Sequence, residues 1–256
     1  MADSPLRVWL EHDDKLLRLH LNRPKANIVD AEMIGALQQA FDRYSEQHSL
    51  RAVLLDAEGP HFSFGASVEE HMPESCAVML RSLHRLVETM LEFPVPILVA
   101  IDGQCLGGGL EVAAAGSRLF ASNDAKLGQP EIKLAVFAPA ASCLLPERIG
   151  AAAAEDLLYS GRVLAAAEAL AVGLVDQLHE DPTAAALTYF KKHLAAVSAS
   201  SLRFAVRAVR SDRLVRIKSK LAFVESLYLD ELMSTHDAVE GLTAFLEKRP
   251  AKWEES

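Results

Sequence analysis

Apolar and polar positions alternate along residues 7–10 and again along 16–21, with Asp13-Asp14 between them. That pattern predicts a β-hairpin. Asp30 then stands where a helix cap belongs, and Met33, Leu37, Ala40, Phe41 and Tyr44 fall on one side of a helix running to about Gln47. A strand is predicted over Arg51 to Asp56, and a helix over Cys76 to Glu92, stopped by Phe93-Pro94-Val95-Pro96. The unbroken apolar run from Val95 to Ile101 reads as a buried strand. Further strands are predicted at 117–122 and 125–128, short helices at 110–115, 151–160 and 165–172, and a closing strand from Gly173-Leu174-Val175-Asp176. The repeated strand-strand-helix spacing fits an α/β fold, either a doubly wound sheet or a spiral of stacked turns. From Asp181 onward the pattern becomes all-helical. Leu214, Ile217, Leu221, Val224, Leu227, Leu229 and Leu232 form a long apolar stripe, readable as a core helix or an interface.

Composition narrows the function. The chain has 256 residues, enough to bury a sizeable core, and 50% of them are hydrophobic, far from the composition of a disordered chain. A net charge of -9 disfavours general affinity for nucleic acid or anionic membrane. Cys76, Cys105 and Cys143 are odd in number and lack metal-ligand spacing, so no metal site is expected and a reducing compartment is. Met1 to Pro5 show neither the basic start nor the apolar run of a signal peptide, and no apolar segment reaches membrane-span length. A cytoplasmic protein is the expectation.

The candidate chemistry lies between Gly103 and Glu131. Gly107-Gly108-Gly109 joins a strand to a short Ala-rich helix, where backbone N–H groups suit a negatively charged oxygen. Glu111 sits one turn inside that apolar helix, a costly place for a carboxylate without a partner or a task. Gly128-Gln129-Pro130-Glu131 supplies a second acid. A backbone anion site with two acids suits adding or removing water beside a carbonyl. A tight turn plus an ion-paired glutamate is the plainer reading of the same residues. A phosphate loop would need Gly-Lys-Ser/Thr where Gly-Leu-Glu stands, and a dinucleotide fingerprint fails at Val112.

Gly107-Gly108-Gly109-x-Glu111, followed by Leu127-Gly128-Gln129-Pro130-Glu131-Ile132, resembles the signature of the enoyl-CoA hydratase/isomerase (crotonase) superfamily. Similarity extends to Leu21–Asn27, a first substrate loop, to His61–Ser67, a first oxyanion loop, and to Ala244–Arg249 in the last helix. The resemblance implies an α/β crotonase (ClpP-like) spiral of ββα units over residues 1–195. It implies a C-terminal helical region, 196–256, that builds a trimer or a dimer of trimers (a hexamer).

It also implies an acyl-CoA substrate, with coenzyme A part of that substrate and no separate cofactor. Ala66 and Gly108 would donate the oxyanion-hole N–H groups. Glu111 and Glu131 would be the catalytic acids, and Lys25, Ala26 and Gly65 would contact coenzyme A. Retention of both acids favours a hydratase, with the roles of acid and base left open between them. Two departures stand out. Ser67 replaces the family's common Asp, and Phe137 to Pro146 replaces a Gly-rich turn with Ala, Pro and Phe. A stiff, apolar loop there, with Met72, Phe137 and Pro139 in the pocket, fits a rigid ring better than a flexible acyl chain. A short-chain hydratase of linear substrates is the alternative within the family. Another class, the RNA-binding members of this fold, is disfavoured by the acidic balance.

Overall fold

The computed structural model describes residues 4–256; Met1 to Asp3, part of the stretch read above for a signal peptide, lie outside the described residues. The hairpin forms from β1 (Leu6–Glu11) and β2 (Leu16–Leu21), antiparallel and registered from Leu6 opposite Leu21 to Glu11 opposite Leu16. Helix α1 (Ala31–Tyr44) starts at Asp30, whose side chain accepts from Met33 N at 3.0 Å, and ends three residues before the expected Gln47. Strand β3 (Ala52–Ala57) and helix α2 (Cys76–Glu92) follow.

Next come β4 (Ile97–Ile101), β5 (Gln104–Leu106), α3 (Gly108–Ala114), β6 (Arg118–Ser122) and β7 (Lys126–Gly128). The large sheet runs β1-β2-β3-β4-β6, parallel from β2 onward. A second sheet pairs β5 with β7, and isolated bridges at Ser63–Cys105 and Val29–Ala66 extend it. Each turn of the chain therefore lays one strand in the large sheet, one short stretch in the small sheet, and then a helix. Of the two architectures left open by periodicity, this is the spiral. Strand β4 is buried on both faces, which is why its sequence is apolar without alternation.

The segment read as a stiff loop is helix α4 (Pro139–Ile149). Pro139 occupies its first turn, where a missing N–H costs nothing. Pro146 lies in its interior, and the Ser142 carbonyl that it leaves without a backbone donor accepts from Lys220 Nζ at 2.7 Å. Helix α5 (Ala151–Ser160), strand β8 (Val163–Ala165) on the small sheet and α6 (Ala166–Ala171) complete the core. The closing strand β9 is Gln177–His179, later than the expected Gly173 start; Gly173, at φ 81°, belongs to the turn before it.

Helix α7 (Pro182–Tyr189), capped by Asp181, covers the far face of the large sheet, where Ala186 and Phe190 pack on Leu16, Leu54, Leu98 and Phe120. The long α8 (Ala199–Ser226) lies across α2 and α4. Its Arg210 donates to the carbonyls of Leu91 (2.9 Å) and Phe93 (2.8 Å), capping α2. The stripe is partly covered inside the subunit: Ile217, Leu221 and Val224 are buried, and Leu214, Leu227, Leu229 and Leu232 are half-buried. Phe204 (69% exposed) and Val215 (70%), three turns apart on another side of α8, face solvent. After a π-helical turn at Leu227–Glu231, α9 (His236–Leu246) returns to the core.

Candidate active site

The glycine run is needed because two loops touch there. Gly107 has φ 49°, and a Cβ on it would lie 2.7 Å from Glu131 Oε1. A Cβ on Gly108 would lie 3.0 Å from Ala66 Cβ and 3.1 Å from Ala66 N. The backbone nitrogens of Ala66 and Gly108 are thus neighbours, and neither donates to another backbone carbonyl among the described residues. Ala66 is held by Gly65, whose carbonyl accepts from Val29 N at 2.9 Å and whose φ is 115°. Ser67, the departure from the family's Asp, starts the short turn Glu69–His71 and donates to Glu69 Oε2 at 3.0 Å.

Glu111 is 4% exposed, and its Oε1 accepts from Ala141 N at 2.8 Å. Ala141 lies in the first turn of α4, which has no side-chain cap of its own at Ala138. The Glu111 carboxylate therefore takes the place of a cap, held by an otherwise orphan N–H and the positive end of the helix dipole. In this chain the Ala- and Pro-rich segment builds a helix start aimed at one of the two acids. Glu131 sits at the start of the 3₁₀ turn Pro130–Leu134 that follows β7. With its amide turned to set donor against acceptor, buried Gln129 donates to both Glu131 oxygens at 3.0 Å.

Burial raises the pKa of both acids, and the charge of Glu111 raises Glu131 further; N–H groups of Ala141 and Ala140 oppose the shift at Glu111. Two like carboxylates in one apolar site hold a proton between them near neutral pH. They share a cavity of about 440 Å³ with Ala66, Gly108, Phe137 and Pro139.

The expected residues are placed unevenly. Gly65, Phe137 and Pro139 line this cavity. Ala26 lines an adjoining groove of about 560 Å³, whose wall shares Phe64 and Ala66 with the acid pocket. Lys25 is exposed beside Ala26 and lines neither. Met72 is not on the acid-pocket wall: it packs behind it with Cys76 and Tyr228, and His71, one position earlier, faces the cavity instead. Consecutive residues in a tight turn point in different directions, so one position decides the matter. The sequence reading also missed Gln129 and Ala141 as partners of the acids. It missed Leu242 and Phe245 of α9 as lining residues, because nothing local shows that α9 folds back over the site. A larger groove, about 870 Å³, lies between α8 and the end of α2, away from both acids. No group of three His, Cys, Asp or Glu among the described residues is placed to hold a metal ion.

A ββα spiral with paired backbone N–H groups beside one buried and one half-buried glutamate defines a class, and the comparisons agree. The chain belongs to the enoyl-CoA hydratase/isomerase family, whose model matches residues 11–256. It is 69% identical over 253 residues to the cyclohexa-1,5-dienecarbonyl-CoA hydratase of Thauera aromatica, covering 99% of this chain and 98% of that protein. A probable enoyl-CoA hydratase of Bacillus subtilis is 31% identical, over 94% of this chain and 96% of its own length. Among solved structures, an enoyl-CoA hydratase/isomerase from Pseudoalteromonas atlantica T6c superposes with TM-score 0.86 at 30% identity, covering 97% of this chain and 99% of that one.

Proposed function

We propose that the protein is a carbon–oxygen lyase that adds water to cyclohexa-1,5-diene-1-carbonyl-CoA, giving 6-hydroxycyclohex-1-ene-1-carbonyl-CoA, a step in anaerobic breakdown of aromatic rings through benzoyl-CoA. The observation that carries this reading is the full-length 69% identity to a hydratase of that name, joined to an acid pair in an apolar cavity. The thioester oxygen accepts from the N–H groups of Ala66 and Gly108. Water attacks the ring carbon next to the acyl-bearing carbon, and charge moves onto that oxygen as a dienolate. A proton is then added at the far end of the dienolate, which leaves one ring double bond conjugated with the thioester. In this reading Glu111, whose ionised form the start of α4 stabilises, takes the water's proton, and Glu131 supplies the proton to carbon. Coenzyme A runs out past Gly65 and Ala26 toward Lys25.

The wall that Phe137 and Pro139 contribute is part of a helix start and yields little. A rigid ring loses little freedom on entering it, whereas a linear chain loses rotamers. Assayed side by side, the cyclic dienoyl-CoA is expected to exceed crotonyl-CoA in kcat/KM by roughly 10–200-fold. Equal or reversed preference would make this a hydratase of linear substrates.

The protein assembles as a trimer or a pair of trimers in the cytoplasm, in this reading. Apolar surface for such an interface is offered by exposed Phe204 and Val215 and by the half-buried part of the stripe, Leu214, Leu227, Leu229 and Leu232. Sedimentation is expected to give three or six subunits; a stable, active monomer at micromolar concentration would end this part of the proposal. No helix among the described residues is long and apolar enough to cross a membrane.

A further inference from the structure

His71 faces the same cavity as the acids, and the reaction as written leaves it without a task. Its Nδ1 lies 2.7 Å from the Ser67 carbonyl oxygen. A carbonyl only accepts, so Nδ1 carries the proton and Nε2 presents a lone pair. Burial lowers the pKa of the imidazole, which keeps the ring neutral at neutral pH and Nε2 an acceptor. No group among the described residues donates to Nε2, so the ring's bond to Ser67 fixes its tautomer and leaves this nitrogen without a protein partner. The cavity is otherwise lined mostly by apolar residues, among them Val68, Met79, Leu80 and Leu83, with Glu111, Glu131 and Lys133 its charged members.

A lone acceptor on an apolar wall calls for a ligand that brings a donor. The dienoyl ring has none: it is a hydrocarbon, and its thioester oxygen accepts. The hydrated ring has one, the new O–H. We infer that Nε2 of His71 accepts a hydrogen bond from the hydroxyl of the hydrated acyl group, so that His71 is a specificity residue for the hydroxy ester and not for the diene. This rests on the hydratase reading above. It also gives the site a means of orienting the ring for dehydration, the reverse reaction, where the hydroxyl must sit at the acid pair and not be flipped to the other edge.

The test uses the full-length enzyme with His71→Phe, which keeps a flat ring but no acceptor, and His71→Gln, whose Oε1 can accept. His71→Leu takes the place of the Phe variant if that one does not fold. Two quantities are read: the KM for the cyclic dienoyl-CoA, and the constant for inhibition of hydration by the hydroxy ester. In the apolar variant the inhibition constant is expected to rise about tenfold more than the KM for the diene does. The Gln variant is expected to recover most of the lost affinity for the hydroxy ester. An inhibition constant that does not change, or that rises in step with the diene KM, would overturn the inference. Wild-type activity on the diene, measured in the same experiment, separates that result from a failure of the hydratase reading itself.

Discussion

Replacing Glu131 with glutamine is expected to lower hydratase turnover by about 10²–10⁴ while leaving affinity for the CoA ester nearly unchanged. Glutamine keeps the shape and one of the two oxygens that Gln129 meets, but it cannot deliver a proton to carbon. Glu111→Gln is expected to fall by a similar factor, because its loss removes the base, and the double variant to be little worse than either single one. The same Glu131 variant carries a second signature, of opposite sign. A carboxyl whose pKa is raised in the folded protein binds its proton more tightly there than in the unfolded chain. Its contribution to stability is then complete below the ordinary carboxylate range and is lost as pH rises through the folded value. Glutamine does not ionise, so the variant is expected to melt a few degrees above wild type at pH 8, with the advantage gone near pH 4.5. Steady-state kinetics and thermal melts at the two pH values check both. A Glu131→Gln enzyme with wild-type turnover would remove that residue from the mechanism.

Gly108→Ala is expected to lower kcat by about 10²–10³, the loss typical of one oxyanion donor. Unlike Gly107, Gly108 has a φ that alanine adopts freely, and alanine favours the first turn of a helix, so folding is not the obstacle. The added Cβ would stand 3.1 Å from Ala66 N, against the first donor of the pair, and 3.0 Å from Ala66 Cβ. Either the loops part or the oxyanion site is filled. Thermal melting close to wild type together with a collapsed kcat is the expected combination. A variant that keeps kcat within threefold would show that Ala66 and Gly108 do not share the thioester oxygen.

Much of this was legible in the sequence where local signals were strong. Both ends of α2 could be read, since Phe93-Pro94 stops it and Cys76 opens its apolar face. Helix α5 was legible because Gly150 and Gly161, both at positive φ, bracket it. The acids and the glycines stood out by residue type, because a carboxylate in an Ala-rich helix is costly without a reason. Helix α4 was missed for a physical cause. It packs between α3, α5 and α8, so it shows little polar face, and its interior Pro146 reads as a breaker unless Lys220 is known to satisfy Ser142. The segment from Phe137 to Pro146 therefore reads as a loop where it forms a helix, and of its expected wall residues Phe137 and Pro139 line the cavity while Met72 packs behind it. The contacts of Glu111 with Ala141, and of α9 with the pocket, join positions 30 or more apart in the chain, and no periodicity records them. The apolar stripe from Leu214 to Leu232 shows the limit of pattern reading from the other side: Ile217, Leu221 and Val224 face the subunit's own core, and the other four are half-buried, a division that periodicity does not record.

The central claim is that the acid pair adds one water across a cyclic dienoyl thioester. The most direct test is to incubate wild-type protein with cyclohexa-1,5-diene-1-carbonyl-CoA in D₂O and to determine the product by mass spectrometry and NMR. The expected product is an intact CoA thioester with a hydroxyl on the carbon next to the acyl-bearing carbon and one carbon-bound deuterium across the ring from it. Release of free coenzyme A, or recovery of a deuterated but unhydrated ester, would contradict the account.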